Sequence, residues 1–422
     1  MSSSDRADPA PPALATRPAA PGRTRLSLLH LPDFRRLWLI GFVVFAVRWL
    51  EMLVVGVFVY QRSGSAFQVA MMTLLRMAPM VMFGPVIGAV AKRFERRHAQ
   101  VWVGATLLLT ASAVAGLAYA GQLEVWHLAV ASFCNGIAWA ADNPVRRVMI
   151  GEVVGPERMG SAMAIDVGAN NASQMLGPTI GGLMLAQIGV AGAFSVSVAC
   201  YALALIAALR LRHPNAVAPA ARGAVFAHIV EGLLLARRDR RLVAILVVTI
   251  IYNVFGWPAT SMIPVIGQDR LHLAPGGIGV LASMTGIGAF LGAIAIALWA
   301  RQAHFTRLYI TAVLSYLVLV MGFALAPEPL FAGTALLLTG LANSGFSVMQ
   351  ATLIYLAAPP EMRSRLYGVL SLCIGSGLVG FLHIGVVADL IGAPWATALS
   401  GIEGFVALAL TWRWWRGLFA RG

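Results

Sequence analysis

Twelve stretches of this chain are long and apolar enough to cross a hydrocarbon layer, with short polar or basic segments between them. A spanning segment needs about 20 apolar residues, because the layer is ~30 Å thick and a helix rises ~1.5 Å per residue. Hydrocarbon offers backbone N–H and C=O groups no partner, so runs of this length can persist there only as α-helices. The expected fold class is therefore an all-α polytopic membrane protein of twelve transmembrane helices.

The first six runs are approximately Leu37 to Tyr60, Ala66 to Ala91, Gln100 to Ala120, Trp126 to Val148, Met159 to Ile188 and Ala193 to Leu209. The second six are approximately Leu242 to Gly267, Gly276 to Ala300, Leu308 to Ala326, Leu330 to Ala358, Leu366 to Ile391 and Trp395 to Trp412. Composition agrees: 59% of residues are hydrophobic, 11% are charged and the mean hydropathy is +0.79, too apolar for a soluble domain. The organisation this predicts is a disordered cytoplasmic tail over 1–30, a six-helix bundle over 31–211, a linker over 212–241, a second bundle over 242–412 and a short tail over 413–422. The first 25 residues lack the apolar core of a cleavable signal peptide.

A net charge of +14 would suit a nucleic-acid binder, but the placement of the basic residues points to membrane topology instead. Of 31 Lys and Arg, only Arg62 and Arg270 fall in loops on one side; Arg48 and Arg76 fall inside helices, and all the others lie on the side of the two termini. That bias predicts a multi-pass protein of the inner (cytoplasmic) membrane with both termini cytoplasmic, whose partners are the lipid bilayer and a small molecule and not nucleic acid. A monomer is the expected working unit.

At an offset of 204 residues, Gly84-x-x-x-Gly88 falls on Gly288-x-x-x-Gly292, Arg97 on Arg301 and Pro156-Glu157 on Pro360-Glu361. Two related halves, joined by a linker that is amphipathic from about Val225 to Leu234, suit alternating access around a cavity at the membrane midplane.

Ionisable side chains at the bilayer centre cost at least ~2.5 kcal/mol each, so those inside the runs are the leading site candidates. Arg48 and Glu51 lie three residues apart, on one helix face and within salt-bridge reach, while Arg76 lacks an evident local partner. Glu51 and Asp166 are the expected proton carriers, modulated by Arg48 and Arg76. Asp166, Asn170, Ser173, Gln174 and Gly177 form one polar stripe, which predicts that the fifth helix lines the cavity. In the second half, Tyr252, Asn253 and Trp257 at a Gly256-Trp257-Pro258 break, Asn343, Gln350, Tyr355 and Glu403 are the cavity candidates, with His383 also intramembrane.

The segment Gly88-Ala-Val-Ala-Lys92-Arg93-Phe-Glu95-Arg96-Arg97 resembles the loop signature of the major facilitator superfamily, G-x-x-x-D-R-x-G-R-R. It departs at Lys92, which replaces the acid, and at Glu95, which replaces a glycine. The stretches PDFRRLWLIG, GEVVGPERMGSAMAI, MLGPTIGGLML and PPEMRSRLYGVLSL resemble the branch that includes enterobactin exporters and macrolide-efflux-type proteins, over roughly Leu31 to Trp412. The resemblance implies two pseudo-symmetric six-helix halves and a cytoplasmic gate built from Gly84, Gly88, Lys92, Arg93, Arg96 and Arg97, with Asp142 as the acid on the fourth helix. Gly177-Pro178-Thr-Ile-Gly181-Gly182 is similar to the end of the superfamily's antiporter motif, G-x8-G-x3-G-P-x2-G-G, with Ala164 and Ser173 at its two upstream glycine positions. The function this implies is proton-driven efflux of a small amphipathic molecule such as a drug or siderophore. An importer, a lipid or lysolipid flippase of the same fold, and a non-transporting sensor or scaffold are the rival readings.

An enzyme is not expected, since the chain carries no phosphate loop, no H-E-x-x-H and no nucleophile-His-acid set. Cys134, Cys200 and Cys373 are scattered singly and show no ligand spacing, so neither a metal nor another cofactor is implied. Without a phosphate loop, an ion gradient is the expected energy source, with protons as the coupling ion.

Overall fold

The computed structural model describes residues 25–91, 95–212, 239–359 and 362–416, with 231, 233–234 and 236–237 between them; side chains are described except at 25–27, 84–91, 156 and 364. The N-terminal tail and most of the amphipathic linker lie outside the described residues. Among the described residues, ten helices are long and apolar enough to cross a membrane. One of them, Met159–Leu209, is 51 residues long and breaks at Gly189, whose φ of 67° is left-handed. Glycine adopts that conformation without the steric cost other residues meet, so one residue reverses the chain where a four-residue loop was expected. Val125–Val154 is a further 30-residue helix, less apolar because Asp142, Arg146, Arg147 and Glu152 lie in its last turns. Splitting the first at Gly189 and adding the second gives twelve long helical segments among the described residues.

In chain order these are α1 Pro32–Ser63, α2 Ala66–Ala91, α3 Arg96–Tyr119, α4 Val125–Val154, then α5 and α6, residues 159–188 and 190–209. The second six are α7, residues 240–269, α8 Pro275–Trp299, α9 Phe305–Ala324, α10 Pro329–Ala357, α11, residues 363–391 with an interruption at Ser376, and α12 Ala393–Leu410. Within each six, the helices pack mainly on one another. One end of the molecule, the terminal face, carries the start of α1 and the end of α12. Strongly exposed tryptophans mark both ends: Trp102, Trp299, Trp412 and Trp414 near the terminal face, Trp126 and Trp395 near the opposite face. Such amphipathic rings favour the two membrane–water boundaries.

Close packing follows from small residues at corresponding places in the two halves. α4 meets α2 at Gly136, where a Cβ would collide with the Arg76 carbonyl and stand 3.0 Å from the Pro79 ring. α10 meets α8 at Gly340, 204 positions later, where a Cβ would collide with the Thr285 carbonyl. α5 likewise lies on α1 through Gly177 and Gly181, and α11 on α7 through Gly377 and Gly380. Membrane helices gain little from excluding lipid, so backbone approach of this kind supplies much of their association.

α7 is not a uniform helix. Tyr252–Gly256 widens to a π-turn and Trp257–Met262 tightens to 3-10, because Pro258 has no N–H to donate and its ring crowds the preceding turn. The freed Phe255 carbonyl accepts a hydrogen bond from Ser400 Oγ of α12 at 2.8 Å, the internal satisfaction that lipid demands.

Gly136→Ala and Gly340→Ala should each lower stability by about 1–3 kcal/mol through forced separation of helix backbones. Gly322→Ala on α9, where a Cβ has nothing within 4 Å, should be neutral. Thermal unfolding in detergent distinguishes the three; equal midpoints would show that these glycines do not set the helix spacing.

Candidate functional site

Between the two sixes, halfway along the helices, lies a cavity of about 1250 Å³ counting its mouth. α1, α2, α4 and α5 supply one wall and α7, α8, α9 and α10 the other. Arg48, Arg76, Gln174, Tyr252, Trp257 and Asn343 all line it, as the sequence leads one to expect, and Pro178 of the antiporter-like motif lines it too. Trp49 and Trp139 were not anticipated. Neither is ionisable, so the cost of burying charge could not single them out.

The wall is basic and aromatic. Arg48 lays its guanidinium over the Trp139 ring, 3.8 Å from the centroid, and lies 5.5 Å from that of Trp49. The expected Arg48–Glu51 pair does not form. Glu51 turns away from the cavity, is 1% exposed, and pairs instead with Arg76 Nη2 at 3.6 Å. Asn135 Nδ2 of α4 donates to the same carboxylate oxygen at 3.3 Å, and Thr110 of α3 donates to Asn135 Oδ1 at 2.7 Å. Ser197 and Tyr201 of α6 complete the surroundings. Glu51 thus sits behind the cavity wall and reaches it through Arg76. A three-residue spacing brings two side chains towards one face, but here they diverge: Arg48 lies over Trp139 on the cavity side, while Glu51 meets Asn135 and Arg76.

A second charged cluster lies nearer the terminal face. Arg146 is fully buried; its Nε lies 3.2 Å from Asp142 Oδ2, its Nη1 pairs with Asp166 Oδ1, and its guanidinium lies 4.9 Å from the centre of the Phe45 ring. Arg147 Nε is 4.0 Å from Asp166. Gly41 of α1 makes the room, since a Cβ there would collide with the guanidinium. The sequence places Arg146 and Arg147 at the end of the fourth run, among the basic residues on the side of the termini. α4 continues to Val154 and carries Arg146 inside while Arg147 stays exposed, and the i,i+4 spacing from Asp142 to Arg146 was the available signal. Asp166 therefore belongs to this cluster and does not line the cavity. Of its polar stripe only Gln174 reaches the cavity, because α5 runs from the terminal face towards it.

Four second-half candidates are also displaced. Asn253 donates to the Thr249 carbonyl at 2.8 Å and Gln350 Nε2 to Thr249 Oγ1 at 2.9 Å, forming an uncharged network with Tyr309 away from the cavity. Tyr355 is half exposed near the terminal face, with Arg363 3.8 Å over its ring. Glu403 faces His383 at 3.5 Å on the outer side of α11 and α12. Asn170 is half-buried and has no place in the cavity wall. Helical periodicity ranks the faces of a helix without saying which one meets the cavity.

Of the expected gate, Lys92 and Arg93 lie outside the described residues, as do the surroundings of Gly84 and Gly88. Arg96 pairs with Glu152 of α4, and Arg97 Nη2 donates to the Leu209 carbonyl at 2.7 Å, at the end of α6. Both hold the first six helices together at the terminal face, and Asp142 answers Arg146.

Across the two sixes, every hydrogen bond among the described residues lies towards the opposite face. Tyr60 donates to Asp269. Ser65 Oγ and the Phe67 amide donate to Asp389 at 2.8 and 2.9 Å, and the Thr179 hydroxyl lies 2.7 Å from that of Ser283. The motif glycines have two jobs: Gly177 and Gly181 seat α5 on α1, while a Cβ on Gly182 would lie 3.0 Å from Gly279 Cα of α8. Small residues on two faces of α5 thus bring the halves together at that end.

The architecture has solved counterparts. The nucleoside transporter NupG superposes with a TM-score of 0.75 at 12% identity, covering 90% of this chain and 98% of that one. A bacterial homolog to the human lysosomal transporter Spinster, in its inward-facing and unoccupied conformation, gives 0.72 at 14%, covering 95% and 99%. In sequence the chain is 22% identical over 353 residues to macrolide efflux protein A of Streptococcus pyogenes, spanning 81% of this chain and 85% of that protein. It is 25% identical over 362 residues to the multidrug efflux pump Tap of Mycolicibacterium fortuitum, spanning 83% and 86%. The family model for the Major Facilitator Superfamily matches residues 37–381. The chain, a multi-pass membrane transporter and not an enzyme, belongs to the Major Facilitator Superfamily.

Proposed function

We propose that this transporter exports a small amphipathic molecule in exchange for protons, by alternating access around the central cavity. One observation carries the reading: Glu51, a buried carboxylate behind the cavity wall, is ion-paired with Arg76, a residue of that wall. Ionised, Glu51 holds Arg76 at 3.6 Å. Protonated, it releases the charge it was holding, and Arg76 is left facing the cavity. A proton and a substrate thereby compete for the state of one arginine, which is the linkage an exchanger requires.

The hydrogen bonds across the opposite face close the cavity on that side, so the conformation is the one that faces the terminal side. The basic residues favour a cytoplasmic terminal side, and the efflux relatives support the outward direction of transport.

Glu51→Gln keeps the shape and loses the titratable group. In proteoliposomes it should reduce transport driven by an imposed pH gradient by about tenfold or more, while substrate binding stays measurable. Normal uphill transport by this variant would remove Glu51 from the coupling.

Asp166 serves a structural purpose in this reading, since it supplies half of Arg146's counter-charge. Asp166→Asn should cost about 3–5 kcal/mol of stability, as expected when a buried ion pair loses one partner, whereas Glu51→Gln should cost less, because the arginine it frees, Arg76, borders the cavity and can be solvated there. Denaturation midpoints of the two purified variants, measured side by side, make the comparison; a stable Asp166→Asn protein that has lost only proton coupling would transfer the carrier role to Asp166.

A further inference from the structure

The cavity wall carries charge of one sign. Among the described residues that line it, the only ionisable groups of ordinary acid or base strength are Arg48 and Arg76. Arg76 is answered by Glu51, so that pair contributes no net charge. Arg48 is not answered: no carboxylate among the described residues stands within ion-pair distance of it, and its Nε is a buried donor with no hydrogen-bond partner. Its neighbours are the rings of Trp139 and Trp49.

An aromatic face attracts a guanidinium but returns only part of what burial costs a full charge. Stacking also fixes the plane of the guanidinium, which leaves its edge donors set for a planar, two-oxygen acceptor. Trp257, Tyr252 and Tyr316 supply flat apolar surface elsewhere on the wall.

We propose that the molecule carried by this cavity is an anion, a carboxylate or a similar oxyanion on an aromatic or otherwise flat apolar body, with Arg48 as the residue that seats the charge. The inference rests on reading the cavity as the transport site. It sets this transporter apart from any that takes cations at the same place, since a cationic ligand would add to an uncompensated positive charge.

The test uses the full chain in phosphatidylcholine nanodiscs and three ligands of one shape: 2-naphthoate, 2-naphthamide and 2-naphthylmethylamine, compared by isothermal titration. The acid should bind at least about tenfold more tightly than the amide, and the amine more weakly than either. Arg48→Gln should remove about tenfold of the acid's affinity and leave the amide within about twofold, which also shows the cavity intact; Arg48→Lys should fall between. Equal binding of acid and amide by the wild type, no binding of the acid, or an equal loss of both in Arg48→Gln would overturn the proposal.

Vesicle transport separates this outcome from the function proposed above. An Arg48-dependent preference for the acid, with no solute moved by a pH gradient, would sink proton-driven export and leave the anion site standing. Glu51-dependent movement of neutral or cationic compounds, with no preference for the acid, would do the reverse.

Discussion

A charge surrounded by hydrocarbon must find its opposite inside the protein, and much of this molecule is arranged around that requirement. The first six helices bury two arginines and three acids in two sets, Glu51 with Arg76 and Asp142 and Asp166 with Arg146. Each set ties together two successive helices. Since α1 contributes Glu51 to one set and yields space to the other at Gly41, its rotation about its own axis is fixed at two heights. With α1 fixed, α5 has a seat through Gly177 and Gly181, and the cavity has a wall.

The second six helices meet the same solvent with neutral groups. Thr249, Tyr309, Asn253 and Gln350 form a network in which each hydroxyl or amide finds a partner without any charge. The two halves therefore share a backbone plan, visible in Gly136 and Gly340, and differ in electrical character. Charge handling is concentrated in one half, and the aromatic residues Tyr252, Trp257 and Tyr316 of the other half supply apolar surface to the shared cavity.

Much of this was legible from the residues. Lipid enforces helix length, so the positions of most membrane-length helices could be read from apolar runs, and the family follows from motifs that lie in those helices. Arg48, Arg76, Gln174, Tyr252, Trp257 and Asn343 were found for the same reason: polar groups at mid-helix are costly unless they meet a cavity or each other. What could not be read was rotation and partnership. Glu51 was assigned to Arg48 because the two are near in sequence, whereas its partner comes from the next helix. Arg146 was counted among the basic residues on the side of the termini because two adjacent arginines end an apolar run, and only the packing of Gly41 shows why a helix can carry one of them inside. Tyr355, Glu403, Gln350 and Asn253 lie on helices that do border the cavity or its neighbours, on faces that turn elsewhere.

The seam at the opposite face is built from unusual material for a joint inside a membrane protein. α5 meets α8 through Gly182, Gly279, Gly286 and the hydroxyls of Thr179 and Ser283, and α2 meets α11 through Gly385, Ser65 and the Asp389 carboxylate. Glycines present almost no side-chain surface, and hydroxyls and carboxylates are as well served by water as by each other. When these contacts part, their glycines and polar groups can be wetted at once, and the oily area bared is chiefly that of the neighbouring patch of Leu53, Val57 and Ile278. The joint therefore combines one apolar patch with a set of close polar and glycine contacts that water can replace, a composition suited to a surface that comes apart and re-forms.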